Sequence, residues 1–592
     1  MKKLFLYSTL FFSLVCFSQN EQLAQYYFDK GDFEKAKISF EELLKTSPQN
    51  TNYFEKAIAC YQQLQQFDLA EKTIQERFEK YKQASLLVEL GYNFQLQKKD
   101  DIAKKYYDEA VARIKKNPNE IFSISKAFEK KVLLDYALQS YLMAVQLVPT
   151  FNFNYQMALL FGQLGNTEKM ISTFLNEAYQ NPQNSFQIQN QLARFMVEEG
   201  DETFNETLRK ELILRTQKSQ DIFWNDYLSW FYVQQKELGK AFIQQKAIYK
   251  RNSETLSGIL SLGNLAIEEG ESDIAKEIFD FIILNTKDVE LIIQAQTYIM
   301  QLKIDKAQEI DFATIHSELV NLLKEYDVSP MTIDLQLMQA HFLAFNMKKI
   351  PDGKALVKNA LELQLPPYEL AKVKMELADI LLLEEKYNQA LLYYTQIEEN
   401  LKNDVLAHEA SLKAAKTSYF QGDFVWALKQ FSALKSASTQ LIANDALEYF
   451  LLINDNTVAD STQTALKQFA KGDYLLYQKR NPEAIVQFQF ILKSFKGQDI
   501  EAVTQLRLGK IYEKQGEYNL ALNQYQNSID HHPDGIYIDE ALFFLAEIYN
   551  NKLQQPEKAK PLYEQLIFNH QDSIYFVEAR KEYRKLRGDK NL

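Results

Sequence analysis

Two cysteines, 12 prolines, 17 glycines and six histidines are all that these 592 residues contain. Few glycines and prolines mean few loops and no flexible linker. Cys16 sits in an N-terminal apolar run, so the rest of the chain holds only Cys60. No internal disulfide can brace the fold, and the apolar surroundings of Cys60, beside Ala57 and Tyr61, mark a buried structural thiol. The histidines stand at 316, 341, 408, 531, 532 and 570. None belongs to a His-x-x-x-His or Cys-x-x-Cys arrangement with carboxylates at ligand spacing. The one local cluster, His531-His532-Pro533-Asp534, suits a helix end, where a histidine favours the dipole. Nucleophile-elbow, phosphate-loop and dinucleotide motifs are missing as well. The sequence therefore predicts no catalytic site, no cofactor and no metal. There is no strand alternation with hairpin turns, which excludes a β architecture. There is no excess of basic charge either: 67 Lys and Arg face 79 Asp and Glu, a net −12. That balance argues against general nucleic-acid binding.

What the chain has in quantity is aromatic and apolar residues, including 40 Phe and 34 Tyr, and they recur with a period of about 34 residues. The clearest copy reads Leu508, Gly509, Tyr512, Gly516, Tyr518, Ala521, Tyr525, Pro533. A weaker one reads Ala24, Tyr27, Gly31, Phe33, Ala36, Phe40, Pro48. Apolar residues three and four apart define two amphipathic helices per copy. The small residues let the helices approach, and the aromatics fill the space between layers. The alanine of the second helix recurs at Ala36, Ala70, Ala103 and Ala137, then as Met170. It resumes at Ala241 and Ala275, and again at Ala390, Ala427, Ala484, Ala521 and Ala559. Residues 285–370 lack clean anchors; Ala355 is their landmark, with breaks at Pro330, Pro351, Pro366 and Pro367. The long step from Ala427 to Ala484 predicts an additional helix near 440–453, and the whole pattern predicts about 15 helical pairs. One such hairpin cannot bury its apolar face alone, whereas stacked neighbours can.

These anchors resemble the tetratricopeptide repeat. The resemblance implies an all-α fold, a right-handed α-solenoid of stacked hairpins, with the first helix of each pair on the concave side. It also implies binding of peptide segments or partner proteins in that groove. Some members of the family clamp a C-terminal carboxylate with Lys, Asn and Arg on first helices; here the first repeat carries Glu21 and Gln25 at corresponding places, which does not support that mode. The stretch His532-Pro533-Asp534, Tyr537, Asp539, Glu540, Ala541, Phe544, Leu545, Ala546, Glu547 and Tyr549 is similar to repeats of periplasmic proteins. Those include the outer-membrane assembly lipoprotein BamD and the Tol–Pal-associated coordinators. The expected organisation is a signal peptide at 1–18, an N-terminal array at 19–284 and degenerate repeats at 285–370. A C-terminal array at 371–572 and a capping helix with tail at 573–592 complete it.

Residues 1–18 read as a secretory signal: Met1-Lys2-Lys3, an apolar run from Leu4 to Phe17, and the small residue Ser18. The run is too short for a typical membrane span. The alternative is an apolar first helix of the array. Cleavage after Ser18 removes Lys2 and Lys3 and leaves a net charge of −14. Ser13, Leu14 and Val15 before Cys16 depart from a lipobox, so ordinary cleavage is favoured over lipidation. The expected location is the periplasm or exterior.

Function is expected to lie in surfaces. Phe469, Leu506 and Phe543 recur at one position of three successive first helices and predict an apolar ladder. Lys510 and Glu547 follow Leu506 and Phe543 by four residues and should lie beside it. Such a face could hold a partner segment, with charges fixing its direction; the alternative is that the ladder packs against the next helix. A final helix over 573–588 would cap the array through Phe576, Ala579, Tyr583 and Leu586. Arg580, Lys581, Arg584, Lys585 and Arg587 would face outward, suiting a soluble cap or a contact with acidic lipid or an acidic partner. The sequence thus predicts a non-enzymatic protein-binding scaffold of the bacterial cell envelope. A competing class is a SusD-like glycan binder, against which stand the repeats running to the C-terminus and the presence of only Trp224, Trp230 and Trp426.

Overall fold

The computed structural model describes residues 20–198, 202–253, 255–402, 404–437, 439–458 and 462–589. Among them there are helices and no strand. The expected signal segment and Cys16 lie outside the described residues.

The hairpin Ile500–Lys514 with Tyr518–His531 shows why the sequence folds as it does. Its first helix buries Leu506, Leu508, Gly509, Ile511 and Tyr512, and its second buries Ala521, Tyr525 and Ser528. A Cβ on Gly509 would lie 2.4 Å from the Tyr525 ring. The missing side chain leaves room for the ring against the first helix. The same pairing recurs at Gly91 with Tyr107, Gly472 with Phe488 and Gly263 with Phe279. Between the helices Gly516 takes φ +76°, and the Glu517 N–H closes on the Tyr512 carbonyl at 2.9 Å. That is a left-handed helix stop, which glycine adopts without strain.

The chain forms two compact units, residues 1–224 and 225–592. The first contains six hairpins, from 20–29 with Phe33–Thr46 to Ser185–Glu198 with Glu202–Lys218. Ala36, Ala70, Ala103, Ala137 and Met170 are buried in register. Where Met170 replaces alanine, the facing residue is Gly162, whose absent side chain leaves room for the thioether.

The second unit continues from Leu238–Arg251 through eight further hairpins. The additional helix is present as Gln440–Val458, between Phe424–Ala437 and Thr464–Tyr477. The predicted landmark Ala355 is exposed and does not hold the register. Gly353 does: it is the fourth residue of Ile350–Leu361, as Ala521 is of Tyr518–His531, and a Cβ there would lie 2.5 Å from the Ala340 carbonyl. Two first helices end in π-helical turns, Phe342–Asn346 and Ile548–Lys552. Phe576–Arg587 closes the array as expected, with Ala579 fully buried and Phe576, Tyr583 and Leu586 packed on the last hairpin.

Candidate functional site

Charged side chains of the second unit's first helices pair across to the neighbouring helix. Lys372 reaches Asp334 at 2.8 Å, His341 approaches Glu376 at 3.1 Å, and Lys413 meets Asp379 at 2.7 Å. Further along, Arg507 bridges Asp473 at 3.1 Å and Glu448 at 3.2 Å, and Lys510 pairs with Glu540. A helix presents the same face every three to four residues, so one face of the first helices from Ile333–His341 onward carries this ladder.

Burial gives these pairs their character. The Asp473 carboxyl is 5% exposed. Burial pushes its pKa above the ordinary value against the pull of Arg507, while Tyr419 Oη donates to it at 3.1 Å. Burial opposes the Arg507 charge too, but Asp473 and Glu448 outweigh it and hold the guanidinium protonated. Lys413 is held charged in the same way, its desolvation overcome by Asp379 and Glu409.

Tyrosines then tie hairpins that are not consecutive. Tyr474 Oη donates to the Leu382 carbonyl at 2.7 Å, and Tyr477 Oη to that of Asp379 at 2.9 Å. Lys348 Nζ donates to the Gln478 carbonyl at 2.9 Å, and Lys479 Nζ to Asn346 Oδ1 at 3.0 Å. First helices therefore converge within this unit, and their inner face is a packed polar seam for part of its length.

Beyond the seam the face opens. A groove of about 690 Å³ is bounded by the ends of three first helices, Thr464–Tyr477, Ile500–Lys514 and the π turn Ile548–Lys552. Leu476, Ile511, Tyr518 and Phe544 supply its apolar surface, and Arg507, Lys510, Lys514 and Lys552 its cations. Lys510 Nζ lies 5.2 Å from the Phe544 ring centroid, a separation at which a cation is attracted by the ring.

The five residues singled out from the sequence do not form one exposed ladder. Phe469 and Leu506 are buried, at 0% and 3% exposure. Each first helix has neighbours on both sides, and these two side chains fill the space between them. Phe543 is half-buried and stacks on Tyr575 with centroids 4.6 Å apart. Glu547 accepts from Tyr563 Oη at 2.5 Å and from Asn551 at 2.6 Å. Lys510 alone of the five lines the groove. Sequence reading missed Arg507, Lys514, Lys552, Tyr518 and Phe544. A partial signal was available in Lys514, one turn beyond Lys510 on the same helix face.

Two models of the tetratricopeptide repeat match the chain, one at residues 20–50 and one at residues 504–535. The second covers Lys510, Lys514 and Tyr518 of the groove. No curated protein matches the sequence. Among solved structures, a chain of Naa15/Naa10 bound to HypK-THB is 14% identical over 97% of this chain and 96% of that one, with a TM-score of 0.31. The TPR domain of P58(IPK) is 11% identical over 74% of this chain and 97% of that one, at 0.19. The APC/C hetero-tetramer Cut9-Hcn1 is 11% identical over 96% of each chain, at 0.21. The chain carries tetratricopeptide repeats near both of its ends.

Proposed function

We propose that this protein is a non-enzymatic interaction scaffold that binds a partner protein through the first-helix face of its second unit. The observation that carries this reading is the groove at Lys510, Lys514, Tyr518, Phe544 and Lys552, open and mixed in polarity on an otherwise packed face. Concave apolar surfaces with a few charged groups are where recognition is concentrated. Stacked repeats suit the role because each unit needs only its neighbours, so one face can vary without loss of the fold.

The same proposal places the scaffold in the bacterial cell envelope, in envelope or outer-membrane assembly. Its support is the order of basic, apolar and small residues at 1–18 and the envelope-like pattern from His532 to Tyr549. The test is affinity isolation from envelope fractions, with N-terminal sequencing of the recovered protein. A reproducible protein complex and a mature start near Gln19 are expected. Retention on polysaccharide without a protein partner would overturn the scaffold reading, and an intact Met1 in the cytoplasmic fraction would overturn the location.

A further inference from the structure

We propose that the groove takes an extended acidic segment of a partner protein, with an apolar side chain seated among Leu476, Ile511, Tyr518 and Phe544 and carboxylates meeting Lys514 and Lys552. This rests on the scaffold reading and adds the chemistry of the partner.

Charge carries the inference. Four cations line the groove against one carboxylate, Glu513, which already accepts from Tyr525 Oη at 3.1 Å. Arg507 and Lys510 are neutralised by Asp473, Glu448 and Glu540. Lys514 and Lys552 are exposed and have no ion pair among the described residues. The contrast lies within the same unit. A hollow of about 360 Å³ beside Ile299 and Ile315 also contains three lysines, but Lys276 pairs with Asp280, Lys303 with Glu318 and Lys306 with Asp273. Lysines in that hollow are neutralised at home, and those two in the groove are not. In a chain of net charge −12 carboxylates are plentiful, yet among the described residues none, Glu513 included, forms an ion pair with these two.

The positive edge continues past Asn481, which also lines the groove. Lys348 and Lys479 come together there from distant parts of the chain, and each amine donates to a neutral oxygen. Burial first, and then the charge of Arg480 on Lys348 and of Lys348 on Lys479, lower both below the ordinary lysine pKa, against the pull of Glu309 and Asp305. An incoming carboxylate would relieve that repulsion. Apolar floor and cationic edge together fit a peptide with alternating anchors and charges; a nucleic-acid strand needs successive stacking platforms along its track, and the floor offers two aromatic rings, Tyr518 and Phe544, beside the aliphatic Leu476 and Ile511.

The experiment pans a random peptide library displayed on phage against the purified full chain and against the variant carrying Lys514→Glu and Lys552→Glu. Both side chains are exposed, so the variant should keep its helical spectrum and melting profile. Selected peptides should carry acidic residues around an apolar one. The best of them, followed by fluorescence anisotropy, should bind the variant about tenfold or more weakly and lose affinity as salt screens the charges. Selection without acidic bias, or equal binding by the variant, would overturn the proposal. So would displacement of the peptide by a single-stranded oligonucleotide that binds more tightly. An envelope partner recovered equally by both proteins would remove the groove while sparing the scaffold, whereas recovery of no partner by either would remove the scaffold reading itself.

Discussion

Arg507 and Asp473 stand one repeat apart in sequence and 3.1 Å apart in space, on facing first helices. Tyr419 Oη completes the carboxylate's shell at 3.1 Å, and Glu448, from the additional helix Gln440–Val458, takes the other side of the guanidinium at 3.2 Å. Four helices thus meet at one buried ion. Apolar packing alone would let such helices slide along one another. Separating either charge from its partner would leave it uncompensated, so the pair is expected to set their register.

Arg507→Met should therefore cost more than its lost contacts. It strands the Asp473 carboxyl in a site with 5% exposure. Breaking a buried pair costs about 3–5 kcal/mol, and the lower end is expected because Arg507 keeps 18% of its side chain exposed. Adding Asp473→Leu should return much of the loss. Hydrogen exchange in Thr464–Tyr477 and Ile500–Lys514 is the measurement; unchanged protection there in the single variant would show that the pair fixes nothing.

Gly509 and Tyr525 should behave as one unit. An alanine Cβ at 509 would lie 2.4 Å from the Tyr525 ring, and overpacking of this kind costs about 1–3 kcal/mol. Tyr525→Ala, which empties a fully buried position, should cost about 3–5 kcal/mol and loosen the C-terminal hairpins before the rest. With both changes together, the first penalty should vanish, since the ring that clashes has gone. A double-mutant cycle measures this coupling. Strict additivity would mean the glycine is not required by the ring.

Cys60 gives a pH dependence with a defined sign. Burial pushes its thiol from an ordinary 9.0 up to about 11, against the pull of Lys56 and Lys37. Between those values the unfolded chain gives up a proton that the folded chain keeps. Stability of the N-terminal hairpins should therefore fall as pH rises from 9.0 to about 11, and stay free of this contribution below it. Alkylation of the native protein should be slow, because the side chain is fully buried. Urea unfolding of wild type against Cys60→Ala across that range reads the effect; parallel curves would refute it.

The fold was legible because most hairpins place a small residue at one position of the second helix. Ala36, Ala70, Ala103, Ala137, Ala390 and Ala521 all occupy that position with full or nearly full burial. The register was lost where another residue took that place: Gly353, with exposed Ala355 nearby, and the larger Ile315, buried at the fourth position of Phe312–Glu325. The site was less legible. Phe469 and Leu506 recur with the right period, but period does not tell a face that packs from one that stays open, because first helices have neighbours on both sides. The groove depends on something no local pattern carries: hairpins far apart in sequence converge through contacts such as Tyr477 Oη to the Asp379 carbonyl. Only the converged helices show which lysines are left without a carboxylate.

Val132 offers the simplest gain in stability. It occupies the left-handed stop after Ile121–Lys130 at φ +57°, where Gly31, Gly165, Gly270, Gly422 and Gly516 serve other hairpins. The turn is complete, with the Leu133 N–H on the Phe128 carbonyl at 2.9 Å, yet the valine side chain is 72% exposed and contributes little packing. A left-handed conformation costs an L-residue about 1–2 kcal/mol, and β-branching makes it worse. Glycine removes that strain but returns part of the gain, because its unfolded state has more freedom to lose. Val132→Gly should therefore stabilise the hairpin by about 1 kcal/mol, seen as slower exchange in Ile121–Lys130 and Leu134–Leu147. The reverse change, Gly516→Val, should destabilise the Ile500–Lys514 hairpin by about 1–2 kcal/mol. If Val132→Gly lowers protection instead, the valine is supplying an interaction that outweighs its backbone strain.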